Sequence, residues 1–330
     1  MKALTYDDIQ LVPEYSDIES RQNIILNSEI TTHYSIKTPI IAAPMPTVCG
    51  YDMALKLSEL GAIGCIHRFM SIDEQAYIAN KLYHKNPLFP IMAAVGANGD
   101  YLERAKALLD ARVSIILIDV AHGHHENVKK AIYEIKKISE VDIIAGNIAT
   151  AKAAIDLKNW GVDALRVGIG GGSLCTTRIK TGFGIPNVTC IEEIANSVDI
   201  PIIADGGIKT SGDMAKAFAV GASSIMIGSM IAGTDETPGM LVNKPNGLYK
   251  KYSGAASFDT KSTHGQAIRN IEGESTFIPY KGKVENVINE ITDSLKSALS
   301  YAGARDIKSF KPKYVQVTQA GYNEARPHLL

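Results

Sequence analysis

Short, almost continuously apolar runs recur along the chain, and turn residues follow each of them. Parallel strands that are buried on both faces have this pattern, because neither face of such a strand meets water. Eight runs of this kind are present, at residues 39–43, 62–66, 90–95, 115–119, 143–146, 164–167, 202–205 and 224–227. The sequence therefore predicts eight buried strands.

Amphipathic stretches with apolar residues at helical spacing lie between these runs, for example at 53–60, 151–157 and 214–219. A glycine, Gly61, Gly161 or Gly221, stands directly after or a few residues after each stretch and is suited to a left-handed helix cap. Eight repeats of strand and helix favour an α/β fold of the (β/α)8 TIM-barrel type. An open, doubly wound sheet is the alternative.

Two irregular segments interrupt the repeat. The first, 168–186, separates the sixth and seventh runs, and the second, 233–282, follows the eighth run and precedes a final helical pattern that ends at Gly303. Active sites of barrel enzymes lie at the carboxyl ends of the strands, so we expect both segments to frame the site, with 233–282 as a flap. We interpret residues 1–330 as one catalytic domain.

Composition and charge narrow the function classes. Hydrophobic residues make up 45% and charged residues 21% of the chain, which is typical of a globular protein. The chain has 34 Lys+Arg and 35 Asp+Glu, which argues against nucleic acid as a partner. No apolar run is long enough for a membrane span, and Asp7 and Asp8 stand where a signal peptide would be apolar. We expect a soluble, cytoplasmic protein without a membrane partner.

Four cysteines are scattered along the chain, without the paired spacing of a zinc site or a disulfide framework, at positions 49, 65, 175 and 190. One of them, Cys175, lies in the segment after the sixth run, which reads GIGGGSLCTTR over residues 168–178. Glycines at this density let backbone groups approach a ligand, and a thiolate held there could act as a nucleophile. The alternative is a flexible surface loop with an inert cysteine.

The ends of the seventh and eighth runs suggest a phosphate site. Asp205 is followed by Gly206 and Gly207 in one, and Gly228 is followed by Ser229 in the other. Barrels frequently bind phosphate with glycine amides and hydroxyls of these two loops, and an aspartate at a strand end suits a ribose diol. Ordinary strand-to-helix turns are the alternative. Neither a Walker loop nor a GxGxxG turn after the first strand is present in the sequence.

The second and fourth runs also end in polar residues. Asp119 is followed by three histidines, His122, His124 and His125, but their crowded spacing and the lack of a matching carboxylate elsewhere in the segment disfavour a metal site. Asp119 is the better candidate for a ligand contact. At the end of the second run, Arg68 and its neighbour His67 could face either the site or solvent.

At this point the motifs resemble those of the IMP dehydrogenase and GMP reductase family. The matching motifs are GIGGGSLCTTR, ADGGIK, MIGSM, the early LTYDD and the first-strand end Ala43-Pro44-Met45. They occur in family order over nearly the whole chain. Two departures are Gly171, where the family usually has proline, and Pro46, where aspartate is usual. The resemblance implies a TIM barrel with a purine nucleotide across the strand ends, and a homotetramer.

The resemblance also implies roles for individual residues. Cys175 would attack C2 of the purine, with Asp205 on the ribose and the backbone near Ala255 and Ala256 on the base. Further nucleotide contacts would come from Met45, Ser173, Gly206, Gly207, Gly228, Ser229 and Tyr252. Backbone carbonyls of Gly170, Gly172 and Cys175 would bind a monovalent cation, usually K+. Asp119 and, less directly, Arg68 would contact NADPH.

Within the family, the sequence is more similar to the reductase branch, which converts GMP to IMP with NADPH. No interval between strands has room for the regulatory CBS modules of most dehydrogenases, and the Arg-Tyr dipeptide with which dehydrogenases activate water is missing from the sequence. Reductases instead use a glutamate, matched by Glu272, together with the threonine matched by Thr177, as a proton relay. The alternatives are an IMP dehydrogenase that lacks the CBS insertion and a nucleotide-binding barrel without catalysis.

Overall fold

The chain folds around a closed barrel of eight parallel strands. The computed structural model describes residues 2–263 and 271–325. The barrel strands are Ile40–Ala42, Ile63–Ile66, Met92–Val95, Ile115–Asp119, Asp142–Ile148, Ala164–Val167, Ile202–Asp205 and Ser224–Ile227. The last strand pairs with the first, with Ile225 opposite Ile40, so the sheet closes on itself. All eight predicted strands are confirmed, and the fold is a TIM barrel and not an open sheet.

Helices alternate with the strands and surround the barrel. The helices that follow the strands are Tyr51–Glu59, Ile72–Lys85, Tyr101–Asp110, Glu126–Ile138, Ala151–Asn159, Asn187–Ala195 with the short Thr177–Thr181 before it, Ser211–Ala219 and Val284–Tyr301. The three predicted glycine caps are confirmed, because Gly61, Gly161 and Gly221 have φ angles of 73°, 99° and 108°. None of the helices within 2–263 and 271–325 is long and apolar enough to cross a membrane.

Alternate residues of each strand enter two separate apolar cores. In the fourth strand, Ile115 and Leu117 belong to the core inside the barrel, whereas Ile116 and Ile118 pack beneath the helices. Both faces are buried, which explains why the strands are continuously apolar in sequence. The same alternation directs Arg166 into the barrel, because its neighbours Leu165 and Val167 pack in the outer core.

Smaller elements precede and follow the strand-helix repeat in the chain. A hairpin of Ser28–Glu29 and Ser35–Ile36 lies before the first barrel strand, and Ile9–Leu11 pairs with Tyr314–Gln316 near the end of the chain. The remaining short helices are Tyr6–Asp8, Arg21–Asn23 and Gln319–Glu324.

The predicted flap forms a small antiparallel sheet and a short helix after the eighth barrel strand. Its antiparallel sheet consists of Val242–Lys244, Gly247–Ser253 and Ser275–Pro279, and the helix Phe258–Thr263 lies between the second and third strands. Residues 264–270 of the predicted flap lie outside the described residues. The flap returns to the barrel at Gly273, which forms a bridge with Cys175 of the loop after the sixth strand.

Candidate active site

The glycine-rich loop after the sixth strand packs directly on the turn after the seventh. A side chain at Gly168 would place its Cβ 2.0 Å from the carbonyl oxygen of Asp205, and one at Gly206 would place its Cβ 2.9 Å from the backbone of Gly171. The φ angles of Gly168 and Gly206, 133° and 87°, are also in the region that favours glycine. The two loops therefore approach closely because both lack side chains at the contact.

Cys175 lies at the start of a chain of three side chains. Its Sγ is 3.1 Å from Thr177 Oγ1, and Thr177 Oγ1 donates a hydrogen bond to Glu272 Oε2 at 2.7 Å. The backbone fixes this arrangement, since Thr176 N donates to Glu272 O at 3.0 Å and Glu274 N to Leu174 O at 2.9 Å. A carboxylate, a hydroxyl and a thiol in hydrogen-bond contact can move a proton to or from a group bound at the thiol.

Cys175 differs from the other three cysteines in its surroundings. It is only partly buried, whereas Cys49, Cys65 and Cys190 are fully buried. Burial raises the pKa of the Cys49 and Cys65 thiols, and it raises the pKa of Cys190 to about 12. A neutral, inaccessible thiol is inert, so Cys175 is the cysteine whose position suits a nucleophile.

Polar groups of the loop that carries Cys175 and of the flap meet at the end of the eighth strand. Ser173 Oγ lies 3.2 Å from the hydroxyl of Tyr252, a flap residue that is only 4% exposed. A Cβ at Gly228 would lie 3.1 Å from that hydroxyl and 3.3 Å from Met45 Sδ. Burial raises the pKa of Tyr252, although the hydrogen bond to Ser173 opposes the shift, so its hydroxyl stays protonated and able to donate.

The remaining predicted nucleotide contacts lie after the seventh and eighth strands and in the flap. Gly207 has a φ of 76° and lies beside Tyr6, and the carbonyl of Ser229 accepts a hydrogen bond from Lys281 Nζ at 2.7 Å. The carbonyl of Ala256 accepts from Glu272 N at 3.2 Å, and Ala255 precedes it in the same turn. The flap backbone therefore reaches the same mouth of the barrel as the thiol.

A buried guanidinium joins two carboxylates across the mouth of the barrel. Arg166 donates from Nη1 to Asp119 Oδ1 and from Nε to Asp205 Oδ2, the latter at 2.9 Å. Asn147 Nδ2 also donates to Asp205 Oδ2, at 2.7 Å. Burial disfavours the charged form of Arg166, but the two carboxylates outweigh it and the pKa of Arg166 is raised. The predicted ribose and cofactor contacts are thus held by one shared cation.

Arg166 and Asn147 are site residues that the sequence analysis missed. Arg166 is the single charged residue within the run 164–167, and such an interruption of a buried strand is a detectable signal, because an interior charge needs a partner. Asn147 stands at a strand end, as Asp119 does. Local sequence does not say that both residues turn towards Asp205.

The side chains of Arg68 and His67, whose orientations the sequence left open, point in different directions in the structure. Arg68 Nε lies 3.6 Å from Asp119 Oδ2, so its guanidinium faces the mouth of the barrel, and it stacks on Phe69 at 4.9 Å. His67 is buried and accepts a hydrogen bond from Phe69 N through Nδ1 at 3.2 Å. Of the histidines after Asp119, His124 pairs with Asp156 at 2.8 Å and His125 accepts from Asn127 N at the start of the next helix.

The fold and the site together define a class of protein. A TIM barrel with a partly exposed thiol, a carboxylate connected to that thiol through a hydroxyl, and a polar cluster at the carboxyl ends of its strands has the architecture that covalent catalysis by an enzyme requires. Comparison with known proteins adds the family. The family model for the IMP dehydrogenase / GMP reductase domain matches residues 3–328. The chain belongs to this family of oxidoreductases, which use a nicotinamide cofactor, and the predicted resemblance is confirmed.

Relatives from both branches of the family are similarly close. An inosine-5'-monophosphate dehydrogenase of Cryptosporidium parvum is 36% identical over 386 residues, with 99% of this chain and 95% of the relative covered. A GMP reductase of Lactococcus lactis is 36% identical over 327 residues, with 96% of each covered. A crystal structure of GMP reductase from Trypanosoma brucei in complex with guanosine 5'-monophosphate has a TM-score of 0.94 at 25% identity, and covers 100% of this chain and 98% of that one.

Proposed function

We propose that this protein is a GMP reductase, which converts GMP to IMP and ammonia with NADPH as the reductant. The observation that carries the proposal is the contact of Thr177 with both Cys175 and Glu272. A hydroxyl held between a thiol and a carboxylate is suited to deliver a proton to a leaving amino group. The dehydrogenase reaction has no leaving amine and requires an activated water instead.

The residues support the following first step. The Cys175 thiolate adds to C2 of the guanine base and forms a C–S bond, and the added electron pair is taken up by the ring. Glu272, through the Thr177 hydroxyl, supplies a proton to the 2-amino group. The C–N bond then breaks, ammonia leaves, and a thioimidate on Cys175 remains.

The second step regenerates the Cys175 thiolate. NADPH, when bound, supplies a hydride to C2. The C–S bond breaks, its electron pair returns to Cys175 as a thiolate, and IMP is released. A covalent intermediate divides an unfavourable aromatic substitution into two steps, and the nicotinamide performs the reduction that no side chain can perform.

The polar cluster supports nucleotide binding. Ser173, Tyr252 and the glycines at 207 and 228 would hold the phosphate with hydroxyls and amides, with Ser229 beside them. Asp205 and Gly206 would bind the ribose, and Met45 with the backbone of Ala255 and Ala256 would contact the base. This recognition needs no excess of basic residues, in agreement with the balanced charge of the chain.

The environment of Asp119 fits a contact with NADPH. The carboxylate is held by Arg166 and faces Arg68, whose Nε is buried and has no hydrogen-bond partner among the described residues. A buried donor without an acceptor is costly, so a polar group of the cofactor would complete the site. Arg68 and Asp119 would hold and orient the cofactor there.

The loop also fits a monovalent cation. Gly172 O accepts a hydrogen bond from Cys175 N at 3.0 Å, and in the described part of the chain no donor reaches the carbonyl oxygens of Gly170 or Cys175. Carbonyls of these three residues could therefore ligate K+, which would stabilise the loop that carries the thiol. A homotetramer, inherited from the family resemblance, and a cytoplasmic location, expected from the sequence, complete the proposal.

A combination of features favours the reductase branch. The Arg-Tyr dipeptide is missing, and Glu272, which alone does not distinguish the branches, is connected to Cys175 through Thr177. The lack of room for CBS modules carries no weight, because the Cryptosporidium dehydrogenase aligns over 95% of its own length with 99% of this chain.

Nicotinamide absorbance tests the proposal directly. We expect oxidation of NADPH that depends on GMP, and no reduction of NAD with IMP at a comparable rate. Cys175→Ala should abolish turnover and leave GMP binding, measured by calorimetry, within a few-fold of wild type, whereas Cys190→Ala should keep its activity. Turnover of IMP with NAD alone would assign the protein to the dehydrogenases, and an active Cys175→Ala variant would rule out the covalent mechanism.

A further inference from the structure

The side chain of Arg178 connects the two ends of the loop that carries Cys175. Its Nε donates to Ile169 O at 2.9 Å, just after the sixth strand, and its Nη2 donates to Ile185 O at 2.8 Å, just before the next helix. Arg178 itself directly follows Thr177 in the short helix Thr177–Thr181. One planar group therefore connects both ends of the loop to its catalytic centre.

Two glycines create the space through which this side chain passes. A Cβ at Gly170 would lie 2.4 Å from Arg178 Cγ, and a Cβ at Gly184 would lie 2.6 Å from Arg178 Nε. Both glycines have positive φ angles, 74° and 149°. The loop backbone packs closely around the Arg178 side chain. The conformation of the loop and the position of this side chain therefore depend on each other.

The connection extends to the turn after the seventh strand. Arg178 Nη2 lies 3.5 Å from Asn187 Oδ1, and Asn187 Nδ2 donates to Asp205 O at 3.1 Å and to Gly206 O at 2.6 Å. Asn187 is almost fully buried, at 4% exposure, and stands at the start of the helix Asn187–Ala195. Through Asn187, the Arg178 guanidinium thus fixes the position of the loop that carries Cys175 relative to the turn that carries Asp205.

We propose that Arg178 is a positioning residue, which holds Cys175 and Thr177 in the geometry required for attack and proton transfer. The proposal rests on the proposed function in that Cys175 is the nucleophile. A guanidinium presents several donors in a fixed plane, and here two of its nitrogens bind two carbonyls from opposite ends of one loop. A lysine ammonium carries the same charge on one nitrogen at the end of a flexible stem, so it does not reproduce this geometry.

Arg178→Lys and Arg178→Ala, with Arg305→Lys as the matched control, test the proposal. Arg305 is a 60% exposed arginine that pairs with Asp17 away from the loop. Because a misplacement of about 1 Å can cost about 100-fold in rate, we expect kcat to fall roughly 100-fold in both Arg178 variants, with KM for the nucleotide within about threefold. Free guanidinium ion, at concentrations that leave the thermal unfolding midpoint unchanged, should restore part of the rate of Arg178→Ala and none of Arg178→Lys.

A second readout does not depend on the substrate. Iodoacetamide labelling of the Cys175 peptide, followed by mass spectrometry, should be at least threefold faster in Arg178→Ala and Arg178→Lys than in the wild type, because a released loop exposes the thiol. Arg305→Lys should label at the wild-type rate. If the wild type turns over neither GMP with NADPH nor IMP with NAD, the proposed function fails, and labelling alone then decides on Arg178.

Three results would overturn the role of Arg178. They are a kcat of Arg178→Lys within twofold of the wild type, a loss of rate that only follows the loss of folded protein without rescue by guanidinium, and unchanged labelling of Cys175 in both variants.

Discussion

Thr177 and Glu272 are 95 residues apart in the chain, and their side chains meet at 2.7 Å between Thr177 Oγ1 and Glu272 Oε2. One residue comes from the loop after the sixth strand and the other from the returning end of the flap. The flap therefore contributes a side chain to the candidate active site, and its attachment to the loop brings the two members of the proposed proton relay together.

Glu272→Gln tests this relay. The amide keeps the size of the side chain but cannot exchange a proton at neutral pH. We therefore expect kcat with GMP and NADPH to fall about 10²- to 10³-fold, with nucleotide affinity preserved. Glu274→Gln, an exposed position of the same segment, is the control and should retain its rate. Equal activity of the two variants would exclude Glu272 from the reaction.

Tyr252→Phe tests whether the polar cluster around Ser173 and Tyr252 binds the phosphate. The substitution removes one buried hydroxyl beside Ser173 and leaves the ring in place. A hydrogen bond to a charged group contributes about 1.5–3 kcal/mol, so KM for the nucleotide should rise roughly 10-fold or more with little change in kcat. Tyr249→Phe is the control. Tyr249 lies in the same strand with its ring facing Lys244, and we expect this variant to have the KM and kcat of the wild type.

Arg166→Met tests the ion network at the barrel mouth. The variant leaves Asp119 and Asp205 without their shared cation, and breaking a buried ion pair typically costs about 3–5 kcal/mol. We expect the free energy of unfolding from urea titrations to fall by about that amount. Arg305→Met removes an exposed ion pair and should change it by less than about 1 kcal/mol. A similar small effect for both substitutions would show that the network does not stabilise the fold.

Cys190 should make the protein less stable at alkaline pH. Burial, with a smaller effect of the Glu193 carboxylate, raises the pKa of this thiol from 9.0 to about 12. The unfolded chain therefore loses the proton at lower pH than the folded chain, and the stabilisation from the neutral thiol declines between pH 9 and pH 12.

The comparison with Cys190→Ala isolates this effect. The free energy of unfolding of the wild type, relative to that of the variant, should fall by about 1 kcal/mol between pH 9 and pH 10. Chemical denaturation at both pH values measures it. A difference that stays constant over this interval would contradict the prediction.

Much of the fold was accessible from local sequence. Eight apolar runs predicted the strands, because a strand buried on both faces has to be apolar at every position. Gly61, Gly161 and Gly221 marked helix ends for a reason that is equally local, the left-handed φ angle. The loop motif around Cys175 and its position after a strand also indicated where the chemistry lies.

The sequence by itself thus determined the barrel and the family and indicated the candidate nucleophile, since these depend on periodicity and on a continuous motif. Only the tertiary structure decided that Arg166 joins Asp119 to Asp205. It also decided that Arg68 faces the mouth of the barrel while His67 is buried. The same holds for Arg178, which connects the two ends of the loop that carries Cys175. These contacts depend on the distance between the groups and on their orientation. The closed barrel and the returning flap bring these groups together, and the individual contacts leave no repeating pattern in the sequence.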